Sequence, residues 1–180
     1  MSRYPEIRAG QRITGAMLAG IQFEEVVKQA ATIRQGNPSI SPDPDLQFVL
    51  EANATYHVEF FVQYSTSTTG MFKCSWTVPS GASGLRRRGG GDRFLINGTS
   101  DNVSSSNGVW TDFGWSVHGF GTVVRYGDRS GTGQTWLSEN GIVTTSAGGT
   151  LSFDWAQNAD DGAFATEVSA FSYGRIKRVA

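Results

Sequence analysis

A chain of 180 residues is long enough for one domain with a full core plus an arm, and short for two. Charged residues make up 17% of it, against a usual share of about 25%, and its 23 glycines exceed the usual share of about 7%, a composition suited to short strands and tight turns. A formal net charge of -1 gives no electrostatic footprint for nucleic acid or an anionic membrane, and the single cysteine, Cys74, excludes an intrachain disulfide.

Residues 1–12 carry Pro5, Gly10 and three arginines without periodicity and predict an extended arm. No apolar leader or membrane-length run occurs there, so synthesis in the cytoplasm without export or membrane insertion is expected. Thr14 caps a short predicted helix through Ala16, Met17, Leu18 and Ala19, which Gly20 ends. Ile13, Met17, Leu18 and Ile21 would form one apolar stripe. A helix of two turns is marginal alone, so the stripe is expected to dock the arm on a partner. The predicted division is an arm over 1–25 and a β-sandwich domain over 26–180.

From 21 to 34 the signal is mixed: Glu24 and Lys28 are spaced as a helical ion pair, yet Val26, Val27, Thr32 and Ile33 favour a strand, expected over about 26–33. The segment QGNPSISPDPD at 35–45, with three prolines, predicts a loop that no helix or central strand would tolerate. Leu46, Phe48 and Leu50 then alternate as a short strand, and 51–54 turns the chain.

The strongest signal follows. Tyr56, Val58, Phe60, Val62 and Tyr64 fall on every second position, with His57, Glu59 and Gln63 between them. After a polar turn at 65–70, Phe72, Cys74 and Trp76 face one way and Lys73, Ser75 and Thr77 the other, which predicts an antiparallel hairpin. Each inward side chain would contribute about 1.5 to 3 kcal/mol if fully buried, and together they require a second sheet. Phe61 is the one large apolar residue on the polar side, and is the candidate subunit contact.

The segment SGASGLRRRGGGD at 80–92 predicts a mobile loop, in which Arg86, Arg87 and Arg88 are either a solvated cluster or a grip on an acidic partner. Residues 94–96 form a short apolar run and 97–108 a polar loop. Residues 109–126, with Trp110, Phe113, Trp115, Val117 and Phe120, predict one long strand bent near 119–121. Beyond a turn at 127–133, residues 134–145 predict a strand, or a strand pair broken at the hairpin dipeptide Asn140-Gly141. Leu151, Phe153 and Trp155 alternate with Ser152 and Asp154, and 164–179 forms the last strand. The fold expected from this pattern is all-β, an antiparallel β-sandwich of jelly-roll type.

Chemistry leaves little trace. His57 and His118 are too isolated for a metal site, and no nucleophile elbow, zinc-protease motif or phosphate loop occurs. The carboxylates Asp154, Asp160, Asp161 and Glu167 would be the only ones to weigh as a glycosidase pair, and Asp160-Asp161-Gly162 is ordinary turn chemistry. No catalytic residue, cofactor or metal is expected. Trp110, Phe113, Trp115, Phe120 and Trp136 crowd one region and could stack on sugars or bury against a neighbouring subunit.

Several phrases resemble a known group: residues 9–14 (AGQRIT) with Met17-Leu18, 52–56 (ANATY), 76–81 (WTVPSG), 151–158 (LSFDWAQN) and the basic, apolar end at 175–179 (RIKRV). Together they resemble small structural proteins of phages and prophages of actinobacteria. The resemblance implies a non-enzymatic virion protein made in the host cytoplasm, of minor tail or receptor-binding type. The alternatives are a capsid decoration or head-fibre protein, and a carbohydrate-binding or glycosidase module of a tail. It further implies homotrimers with jelly-roll heads similar to the tumour necrosis factor-like fold, contacts with other virion proteins, and a host cell-surface glycan as a conceivable ligand.

Overall fold

A computed structural model describes residues 9–15, 17, 22–90, 116–127 and 134–179. Within them run twelve strands: β1 (Glu24–Val27), β2 (Thr32–Arg34), β3 (Ser41–Leu50), β4 (Ala54–Ser65), β5 (Phe72–Thr77), β6 (Ser83–Gly90), β7 (Ser116–His118), β8 (Val124–Tyr126), β9 (Thr135–Thr145), β10 (Gly149–Gln157), β11 (Thr166–Val168) and β12 (Tyr173–Arg178). The chain is all-β. A larger antiparallel sheet has the order β1-β12-β4-β9-β6-β7, with β11 pairing β4 and β2 pairing β11. A smaller one has the order β3-β10-β5-β8.

The two sheets enclose one core, consistent with a β-sandwich. Strand β4 buries Tyr56, Val58, Phe60, Val62 and Tyr64, as its alternation predicts. Their partners come from the other sheet: Phe60 meets Trp76 edge-on at 5.1 Å and Phe153 at 5.4 Å, and Tyr64 meets Phe72 at 4.5 Å. Edge-on and tilted rings are the arrangements that aromatic quadrupoles favour.

These contacts correct the expected hairpin. β4 pairs with β9, β12 and β11, whereas β5 pairs with β10 and β8. The polar turn carries the chain from one sheet to the other, so the same alternation that suggests a hairpin instead sets two inner faces against each other. The crossing is closed by local bonds: Gly70 N donates to Ser67 Oγ at 2.8 Å, and Met71 N to Ser67 O at 3.0 Å, with Met71 at φ 49°.

Other expectations shift for equally physical reasons. Pro42 and Pro44, expected in a loop, lie inside β3. That strand is the edge of the smaller sheet, where a missing N–H costs no ladder bond on the open side. Asn140-Gly141 does not turn the chain, because β9 runs through it unbroken. A Cβ on Gly141 would stand 2.6 Å from Leu85 O, so close approach to β6 is what requires glycine there. The bend at 119–121 separates β7 and β8, which belong to different sheets, and the last strand is divided into β11 and β12. Gly15 and Met17 have helical backbone, but no helix is delineated among the described residues, and Leu18 and Ile21 lie outside them. The runs at 94–96 and 97–108, with Trp110, Phe113 and Trp115, also lie outside.

Candidate functional site on the outer face of the larger sheet

In an antiparallel ladder, directly paired residues project from the same face. The register of the larger sheet therefore fixes its outward rows. One row is Val27, Tyr173, Phe61 and Ser138. The next is Glu25, Arg175, Glu59, Asn140, Arg87 and Val117. A third is Lys177, His57, Ile142 and Leu85, and Trp136 stands opposite Gln63 beyond the first.

Phe61 does not stand alone on this face. Its ring stacks between Trp136, at 5.8 Å and 20°, and Tyr173, at 5.5 Å and 19°. Phe61 is thereby covered on both faces, while Trp136 and Tyr173 end the stack, and Trp136 remains exposed. Beside it, Arg175 donates to Glu59 Oε2 through Nε at 3.2 Å and Nη2 at 2.8 Å, and Tyr173 OH donates to Glu59 Oε1 at 3.3 Å. The hydrogen bond from Glu59 leads in pushing the Arg175 guanidinium up, while burial, then Glu59, pushes the Tyr173 phenol up. An ion pair this open contributes at most about 1 kcal/mol. Arg175 and Lys177 also lie over the Phe23 ring at 5.0 and 5.5 Å. Phe23, Val27, Leu85, Val117, Trp136 and Ile142 are all exposed, Leu85 and Val117 at 56% each. Leu85 and Ile142 are directly paired on this face, and adjacent exposed apolar residues mark an interaction site more than single scattered ones do.

The three arginines are corrected most sharply. They lie in β6 between β9 and β7, not in a mobile loop. Arg86 and Arg88 point inward and are buried, and so cannot grip a partner; only Arg87 is exposed, on the outer face. Arg86 pairs with the fully buried Glu139 and donates to Thr122 O, and its guanidinium also reaches Cys74 Sγ. Glu139 Oε1 accepts from Tyr126 OH at 2.7 Å and Cys74 Sγ at 3.3 Å. Burial is the largest single influence on Arg86 and opposes its charge, but Glu139, Cys74 and Tyr126 together outweigh it and the net shift is upward. Burial, reinforced by Glu139, pushes the Tyr126 phenol and the Cys74 thiol well above their ordinary values. Arg88 lies over the Tyr126 ring at 4.8 Å and donates to Arg125 O at 2.9 Å. His118 stands opposite Arg86 and bonds Ser116 at 2.6 Å; burial and then the two arginines lower its pKa.

Of the docking stripe, Ile13 is exposed at 57%, while Met17 is buried and its N–H donates to Thr14 Oγ1 at 3.4 Å. Leu18 and Ile21 lie outside the described residues. Three of the four weighed carboxylates have separate local partners. Asp161 accepts from Ser67 Oγ and from the N–H groups of Ala163 and Phe164, the Ser67 bond leading in lowering its pKa. Asp154 accepts from Thr77 and Ser152, and Glu167 from Ser169. Among the described residues, no cluster of three or more His, Cys, Asp or Glu side chains could hold a metal ion.

Set against known proteins, the chain matches no family model, no curated protein and no solved structure.

Proposed function

We propose that this chain is a non-enzymatic structural protein of a phage virion, which works by self-association through the outer face of its larger sheet. The observation that carries the reading is the make-up of that face: the exposed pair Leu85 and Ile142 on one side and the aromatic stack on the other flank a row of mixed charge. A row holding Glu25 and Glu59 with Arg175 and Arg87 favours a protein surface of similar mixture over a nucleic acid. The homotrimer, the virion location and the minor tail type rest on the sequence resemblance.

The strand order supports a jelly roll. β3-β10-β5-β8 and β4-β9-β6-β7 are two four-stranded sets, and the chain passes between them as in a double Greek key. β12, β1, β11 and β2 extend the second set beyond β4. Helical backbone at Gly15 and Met17, with the Thr14 cap, supports the short helix of the docking arm.

The glycan-binding alternative rests on the sequence resemblance and on the aromatic content. An antibody against the chain should decorate assembled particles in electron micrographs. Particles that carry none of the chain would refute the virion assignment.

A further inference from the structure

Lys28 follows β1 directly, and its side chain is fully buried. Its backbone is fixed on both sides: Lys28 N donates to Ser172 O at 2.8 Å, and Lys28 O accepts from Phe171 N at 2.9 Å. The amine reaches Asp43 Oδ1 at 2.9 Å, Asp45 Oδ2 at 2.7 Å and Thr32 Oγ1 at 2.8 Å. Asp43 is also fully buried, whereas the Asp45 side chain is 47% exposed. Three fixed donors aim at the Asp43 carboxyl: the N–H groups of Asp45 at 3.0 Å and Leu46 at 3.2 Å on Oδ1, and Trp155 Nε1 at 2.9 Å on Oδ2.

These groups fill every role in an amide condensation. Lys28 Nζ is the nucleophile, Asp43 Cγ the electrophile and Asp45 the neighbouring base, and the fixed N–H donors can hold an oxyanion. A lysine beside a carboxylate can become the neutral amine that condensation needs by handing over one proton. The other interior pair, Arg86–Glu139, cannot, because arginine keeps its proton.

We propose that Lys28 and Asp43 join in an intramolecular isopeptide bond, independently of the function proposed above. One proton passes from the Lys28 ammonium to the Asp43 carboxylate, and the neutral amine attacks Cγ. Asp45 takes a proton from the nitrogen of the tetrahedral intermediate and delivers it to the departing hydroxyl. The Nζ–Cγ bond forms, one Cγ–O bond of Asp43 breaks and one water leaves; no oxidant, reductant or cofactor is required. The bond would tie the β1 edge of the larger sheet to the β3 edge of the smaller one, closing that side of the sandwich covalently.

The test is the intact mass of the purified full chain under denaturing conditions, followed by peptide mapping. A mass one water below that of the sequence is expected, with a branched peptide joining the Lys28 and Asp43 segments. Lys28→Arg and Asp43→Ala should each restore the full mass and lose that peptide. The full sequence mass in the wild-type chain, held folded until no further change, would overturn the proposal, as would a water lost without the branched peptide. Asp45→Ala should remain uncrosslinked for far longer than wild type; crosslinking at the wild-type rate would remove Asp45 from the mechanism.

Discussion

The two sheets share a core and a strand alternation, yet their outward faces are finished differently. On the smaller sheet the central strand β10 presents Ser152 and Asp154, opposite Thr77 and Ser75 on β5. Asp154 accepts from both Ser152 and Thr77, and all but Thr77 of these four are buried. Further along, Lys73 stands opposite Arg125, and its pKa is lowered, by burial first and then by that arginine. Val49 is the large apolar residue exposed there. The centre of the smaller sheet thus satisfies its polar groups locally. The larger sheet leaves apolar side chains in water, and that asymmetry is the physical reason to propose the larger sheet as an assembly surface.

The comparison breaks most violently from the inside. Glu139 and its neighbours Ser138 and Asn140 lie on one strand, but Glu139 faces the core. Glu139→Ala leaves Arg86 charged and buried without its carboxylate, a loss of about 3–5 kcal/mol by analogy with other broken buried pairs. Denaturant unfolding should show it, and a change under 1 kcal/mol would mean that the pair is not desolvated as described. On the smaller sheet, Asp154→Ala removes the acceptor of two side-chain donors and should cost about 1–3 kcal/mol. Its assembled mass should stay that of wild type.

Alkaline pH probes the interior next. The folded-state pKa values of Cys74 and Tyr126 are raised, so their contribution is fully present below the unfolded thiol value of about 8.5 and is lost as pH rises toward the folded ones. Stability should fall by about 1.4 kcal/mol per pH unit once only the unfolded chain has released the thiol proton. Cys74→Ala should move that onset to about pH 10, where tyrosine takes over. An unchanged onset would separate Cys74 from the effect. The smallest change is expected from Val49→Lys, an exposed substitution on the smaller sheet, at about 0.5 kcal/mol or less and with no effect on assembly.

How much of this was legible in the sequence depends on where each residue's partner lies. The alternation of Tyr56 to Tyr64, and of Leu151, Phe153 and Trp155, reports burial directly, and those residues are in the core. Phe61 was visible as an exception to its own strand. Trp136 and Tyr173, which complete its stack, come from strands roughly 75 and 110 positions away, a juxtaposition that only register supplies. Periodicity also cannot separate a hairpin from a crossing between sheets, which is why β4 and β5 were misassigned. Arg86 to Arg88 misled because three arginines among glycines read as solvated. The alternation of buried, exposed and buried that they follow depends on Glu139 and Tyr126, both distant in sequence. Lys28 reads as a surface ion-pair partner of Glu24 and Asp43 as loop chemistry between prolines, because lysine and aspartate are rarely fully buried, so their meeting has no trace in the sequence.

Solution mass by light scattering tests the outer face most directly, on wild type, on Leu85→Lys with Ile142→Lys, and on Val49→Lys as the control from the other sheet. Wild type and the Val49 variant are expected at three times the chain mass. The paired outer-face variant should fall to a single chain mass, with its thermal unfolding little changed. Wild type that stays monomeric at micromolar concentration, or a paired variant that assembles as wild type does, would contradict assembly through the larger sheet.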